Sequence, residues 1–155
     1  MCFEFDHLVT TDGGALSNGT ADSAGYGSYH LESRTCQKQM VRLDFGCGVT
    51  NNEAEYRTLI AGLKDLFGRI QRAGTSPSGY SLLVHTDSQL MVGQLTQGWQ
   101  VKAANPSAPL RTGLRPLVDK AATLIQAFGR CDPSPALGTG LDKVPRAENV
   151  RVLGH

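Results

Sequence analysis

No run of apolar residues in this chain approaches the ~18 that a membrane-spanning helix needs. The opening residues, Met1-Cys2-Phe3-Glu4-Phe5-Asp6, are acidic and lack a basic stretch followed by a long apolar one. No secretory leader is read from them, and the expected compartment is the cytoplasm. No two of the four cysteines (Cys2, Cys36, Cys47, Cys131) have C-x-x-C spacing, and no neighbouring histidine completes a zinc pattern. Reduced, partly buried thiols are the expectation. Nothing like a G-x-S-x-G elbow surrounds Ser88, which argues against a serine hydrolase. A basic tail is also missing. The net charge of +1 neither supports nor excludes a polyanionic partner, because local Lys/Arg clusters can hide in a balanced total. Any affinity for nucleic acid is expected to be modest and salt-sensitive. No internal repeat or second domain is visible, so residues 1–155 read as one domain, long enough to bury a core.

What is present is an ordered set of short elements. Residues 3–11 alternate with roughly period two, as a strand does, and 13–25 read as a Gly/Ser/Asn-rich turn. Residues 25–32 and 39–45 continue as two more strands of an antiparallel meander. Asn51 or Asn52 offers a helix N-cap, and Leu59, Ile60, Leu63, Leu66, Phe67 and Ile70 follow at helical spacing. A loop over 74–79, a buried strand over 81–86 and a short helix over 88–95 come next. The spacing predicts a longer helix over 109–128, kinked or starting late at Pro116. A Pro/Gly-rich loop spans 131–140, and 141–144 forms a last strand. The order βββαβααβ makes a mixed α/β fold, a sheet with helices and no regular βαβ repeat.

Three acids stand at junctions of these elements: Asp12 in Thr10-Thr11-Asp12-Gly13-Gly14, Glu55 in Thr50-Asn51-Asn52-Glu53-Ala54-Glu55-Tyr56, and Asp87 in His85-Thr86-Asp87-Ser88-Gln89. They are 43 (55 − 12) and 32 (87 − 55) positions apart. Each context alone has an ordinary explanation in a turn or a helix cap. Together, carboxylates gathered at strand ends and a helix start suit hard divalent cations, Mg²⁺ or Mn²⁺ rather than Zn²⁺. Glu53 competes with Glu55, but two helical positions are about 200° apart, so both cannot face one site. Glu53 is expected to be solvated.

These stretches, with Asn18-Gly19, Trp99-Gln100-Val101-Lys102 and Val144-Pro145-Arg146-Ala147-Glu148-Asn149, resemble type 1 ribonuclease H of the compact kind without a basic protrusion. The resemblance runs over about residues 3–149. It implies a ribonuclease H-like fold with a central five-stranded mixed sheet flanked by helices. It implies cleavage of the RNA strand of RNA–DNA hybrids with two divalent ions, Mg²⁺ or Mn²⁺, leaving 5′-phosphate and 3′-hydroxyl ends. Asp12, Glu55 and Asp87 match the catalytic, metal-holding acids, with Asp12 bridging both ions. Asn18, Asn52 and Gln89 match positions that read the minor groove and 2′-hydroxyls, a task amides suit because each donates and accepts. Asn51 joins them through its backbone or cap. Trp99 packs against the DNA strand or the core. The partner implied is RNA–DNA hybrid, with double-stranded RNA as a further candidate, and the default state is a monomer without an obligate protein partner.

The chain departs from the pattern near its last residues. The family's fourth acid, four residues after Asn149, is Leu153 here. Affinity for the water-activating ion is expected to fall. Asn149 is a neutral oxygen ligand near that position, and Glu148 and His155 are the other nearby candidates. The alternative reading is therefore a catalytically weak or inactive module that binds hybrid or double-stranded RNA. Another nuclease or transferase on the same architecture is a third class, which the amides and the small size disfavour. His85 reads as structural, and His7 and His30 lie in strands without an assigned role.

Overall fold

The meander forms as the alternation demands. The computed structural model describes residues 6–16, 24–33, 38–86, 88–96, 114–131 and 141–143. Strands β1 (His7–Leu16), β2 (Ala24–Ser33) and β3 (Lys38–Cys47) pair antiparallel, with Asp12 opposite Ser28 and Gly13 opposite Gly27. Strand β4 (Ser81–Thr86) joins β1 in parallel, from His7↔Leu82 to Thr11↔Thr86. Two short strands, β5 (Arg130–Cys131) and β6 (Leu141–Lys143), both run parallel to β4, the first beside Ser81 and Leu82, the second beside Val84 to Thr86. Since β1 fills the other edge of β4, the short strands share one side of it. The six strands thus occupy five positions, in the order β3-β2-β1-β4 and then β5 with β6. The expected mixed sheet is present, with its fifth place divided between two fragments. Cys131, expected in a loop, lies in β5.

Strand β1 is longer than the alternation suggested. It continues through Asp12-Gly13-Gly14 to Leu16, where a turn was expected, so Asp12 is a strand-interior residue. Glycines imitate turn chemistry in a sequence, but here they serve close packing. Gly13 and Gly27 face the same helix, and a Cβ on Gly27 would fall 1.8 Å from Thr58 Oγ1.

Among the described residues three helices accompany the sheet: α1 (Asn51–Arg72), α2 (Gln89–Thr96) and α3 (Arg115–Gln126). Thr50 caps α1, in place of Asn51 or Asn52. Its Oγ1 accepts from the Glu53 amide at 3.3 Å and donates to Glu53 Oε1 at 3.1 Å. This reciprocal cap buries Glu53 to 3% exposure, which corrects the expectation of a solvated acid. Helix α3 starts at Arg115 with Pro116 in its first turn, where a missing N–H costs nothing, as the late start anticipated. Residues 109–113 of the expected helix lie outside the described ones. Leu59, Leu63, Leu66 and Ile70 of α1 pack on Val9, Leu82 and Val84 of the sheet and on Val118, Ala121 and Ile125 of α3. Among the described residues no helix is long and apolar enough to cross a membrane. Cys47 is a free, exposed thiol, against the burial expected for it.

The starts of β1 and β4 are stapled together. Asp6 Oδ2 accepts from the Ser81 amide at 2.8 Å and from Ser81 Oγ at 3.1 Å, while the Asp6 amide donates to Ser81 Oγ at 2.9 Å.

His7 Nε2 and His30 Nδ1 are buried without a hydrogen-bond partner among the described residues. Burial holds both imidazoles below their ordinary 6.5. Asp6 partly opposes this at His7; at His30, Glu32 opposes it and Lys38 adds to it. A base whose pKa is depressed by folding binds its proton better when unfolded. The stability linked to neutral rings is therefore intact above about pH 6.5 and is lost as pH falls through that value. The melting temperature is expected to drop between about pH 7 and pH 5, and less steeply in His30→Gln. Identical slopes for the two proteins would show that His30 does not carry the effect.

Candidate active site

The parallel pairing of β1 with β4 sets the stage. It ends at Thr11↔Thr86, so Asp12 to Leu16 project beyond the described pairing. Asp12 is the first residue of that overhang. Its outer edge meets the first turn of α1: Asn51 Oδ1 accepts from the Ala15 amide at 2.5 Å. Asn51 and Glu55 are four residues apart and share one helix face. That face lies along the strand, because a Cβ on Gly13 would sit 2.7 Å from the Glu55 amide nitrogen and 2.8 Å from the Ala54 carbonyl. Only a residue without a side chain lets β1 and α1 approach so closely. The consequence is that Asp12 and Glu55, 43 positions apart in sequence, stand on adjoining backbone segments. Both are half-buried.

The residue after Glu55 fixes the next element. Tyr56 is buried, and its hydroxyl donates to Gln94 Oε1 of α2 at 2.6 Å. Burial first, and the neighbouring Glu55 charge second, push the phenol far above its ordinary range, so it stays a donor. The start of α2 is set from the other side by Ser88. Its amide donates to Thr86 Oγ1 at 3.1 Å, and its Oγ accepts from the Met91 amide at 3.2 Å. The end of β4 and the beginning of α2 are thus held on both sides of position 87.

Of the expected site residues, Asp12 lies on β1 and Asn51 and Glu55 lie in the first turns of α1, on backbone segments that adjoin at Gly13. Asn52 is exposed in the first turn of α1, and Gln89 begins α2. Asn18, Asp87, Trp99, Glu148, Asn149, Leu153 and His155 lie outside the described residues. Among the described residues no group of three or more His, Cys, Asp or Glu side chains assembles, and the third expected acid is not one of them. The Asp12 and Glu55 carboxylates, carried on these adjoining backbone segments, are hard oxygen ligands of the kind that fits Mg²⁺ or Mn²⁺. Two participants escaped the sequence reading. Thr50 was overlooked although Thr50-x-x-Glu53 has capping-box spacing. Ala15 contributes only a backbone amide, which no residue type signals.

Comparison with solved structures matches this architecture. Ribonuclease H1 from the halophilic archaeon Halobacterium salinarum NRC-1 superposes with a TM-score of 0.64 at 25% identity, over 94% of this chain and 89% of that one. The chain is ribonuclease H1-like. LC11-RNase H1, isolated from compost and solved in complex with an RNA/DNA hybrid, gives the same TM-score, identity and coverage. The RNase H domain of PFV, at 14% identity and a TM-score of 0.53, shares the fold. No family model matches the sequence, and no curated protein matches it.

Proposed function

We propose that this chain is a divalent-metal-dependent endoribonuclease that hydrolyses the RNA strand of RNA–DNA hybrids, leaving 5′-phosphate and 3′-hydroxyl ends. The observation that carries the reading is the close approach, at the bare backbone of Gly13, of the β1 overhang that carries Asp12 and the helix turn that carries Glu55. Likeness to ribonuclease H1 structures, one of them in complex with a hybrid, supports it.

In this reading Asp12, Glu55 and Asp87 are the carboxylates that would hold the ions. Bound divalent ions supply a water of lowered pKa and neutralise charge at the leaving oxygen. The protein's own part is to keep carboxylates fixed and ionised. The strand register fixes Asp12, and the Thr50 cap with the Tyr56–Gln94 bond fixes the helix turn that carries Glu55. Asn18, Asn52 and Gln89 offer amides that read the 2′-hydroxyl separating RNA from DNA. Asn149 is the neutral oxygen ligand that stands in for the acid absent at Leu153, at a cost in ion affinity.

The test is a labelled RNA–DNA hybrid incubated with Mg²⁺, with Mn²⁺ and with EDTA. The expected result is cutting of the RNA strand with either ion and none with EDTA. Hybrid binding without any product would replace the enzyme by a binding module, the reading that Leu153 favours.

A further inference from the structure

We infer that Asn51 is a positioning residue that clamps the β1 overhang to the first turn of α1, and so sets Asp12 beside Glu55. The inference rests on the proposed ribonuclease site, and it assigns Asn51 a different task from the substrate contact that the family resemblance implies. The overhang needs such a device. Up to Thr11, β1 has strand neighbours on both sides; beyond it the described pairing with β4 ends, and the ladder to β2 is what remains. The carboxylate expected to touch both ions is thus on the segment of β1 that β4 does not hold.

Asn51 supplies the missing restraint. Its Oδ1 accepts from the Ala15 amide at 2.5 Å, three residues beyond Asp12. Asn51 is at the same time the first residue of α1, immediately after the Thr50 cap, and it shares a helix face with Glu55. One hydrogen bond therefore spans the two backbone segments that carry the two acids. Gly13 lets the segments touch, and Asn51 sets where along each other they stop. The clamp uses the side-chain oxygen as acceptor, whereas a groove-reading amide would use donor and acceptor alike. That difference in chemistry makes the roles separable.

The experiment compares the wild type with Asn51→Ala and Asn51→Asp, the second keeping an acceptor oxygen and losing the NH₂ donor. Two readouts are taken: amide hydrogen exchange at Ala15 in metal-free protein, and kcat and KM on hybrid with Mg²⁺. In Asn51→Ala the Ala15 amide is expected to exchange roughly five- to tenfold faster, as for the loss of one hydrogen bond. Its kcat is expected to fall about tenfold or more, because a displacement of about 1 Å in a catalytic group can cost ~100-fold, while KM stays within about threefold of the wild type, the acids rather than the substrate contacts having moved. Asn51→Asp is expected to restore the protection of the Ala15 amide. Unchanged Ala15 exchange in Asn51→Ala overturns the clamp, as does an Asn51→Asp protein whose Ala15 amide stays fast. Faster exchange with unchanged kcat, or a rise confined to KM, overturns the positioning role. A wild type that cuts no hybrid sinks the ribonuclease reading and the positioning role with it, and the exchange pair still decides whether the clamp exists.

Discussion

Asp12→Asn is expected to remove hybrid cleavage while leaving the fold intact. The substitution keeps the shape of a side chain inside a strand whose ladder runs on both sides of it, from Thr11↔Tyr29 to Gly13↔Gly27. What it removes is the charge that a divalent ion needs. Electrostatic stabilisation by such an ion is worth several kcal/mol, so kcat is expected to fall by about a hundred- to a thousandfold or more. The variant is expected to lose the stabilisation that Mg²⁺ gives the wild type. Thermal melts with and without Mg²⁺, beside initial rates on hybrid, decide the matter. Substantial cleavage by Asp12→Asn would take the residue out of the chemistry.

Gly13→Ala is expected to damage stability and activity together. A methyl there would lie 2.7 Å from the Glu55 amide nitrogen and 2.8 Å from the carbonyl carbon and oxygen of Ala54. These are backbone atoms within the first turns of a 22-residue helix, so no rotamer can relieve the clash. The helix must back away from the sheet. Overpacking of this kind costs roughly 1–3 kcal/mol and sometimes more. The same retreat separates Glu55 from Asp12, for which a further loss of about a hundredfold in kcat is expected. Gly79→Ala is the matched control, since nothing lies within 4 Å of its Cβ. A Gly13→Ala protein that melts and cuts like that control would show that the close approach is dispensable.

The residues that could be read from the sequence were those whose signal is local. Helix α1 announces itself through Leu59, Leu63, Leu66 and Ile70, and β4 through its short buried run. The three acidic contexts were picked out by residue type and order, and of their acids the structure places Asp12 in β1 and Glu55 in α1. What stayed hidden depends on pairing across the chain. Gly13 looks like a turn residue until the register places it opposite Gly27 beneath α1. Glu53 looks solvated until the Thr50 cap turns its carboxylate inward. Arg130–Cys131 is too short for period two to show, and only the exposed edge of β4 makes it a strand. Asn51 carries a familiar motif, yet its partner is a backbone amide 36 residues earlier, which no local pattern encodes.

The staple between Asp6 and Ser81 joins residues 75 positions apart, and the Thr11↔Thr86 pairing closes a loop of the same length (86 − 11 = 75). The meander and α1 are assembled from contacts between neighbours in the chain, and such contacts form early because little chain entropy is lost in making them. The step at the end of β4 belongs to the opposite class. During synthesis, β1, β2, β3 and α1 are all made before the strand that defines where the overhang begins. The acids of the first half therefore wait for the ribosome to deliver Ser81 to Thr86. The pairing that delimits the site therefore cannot form until β4 has been made.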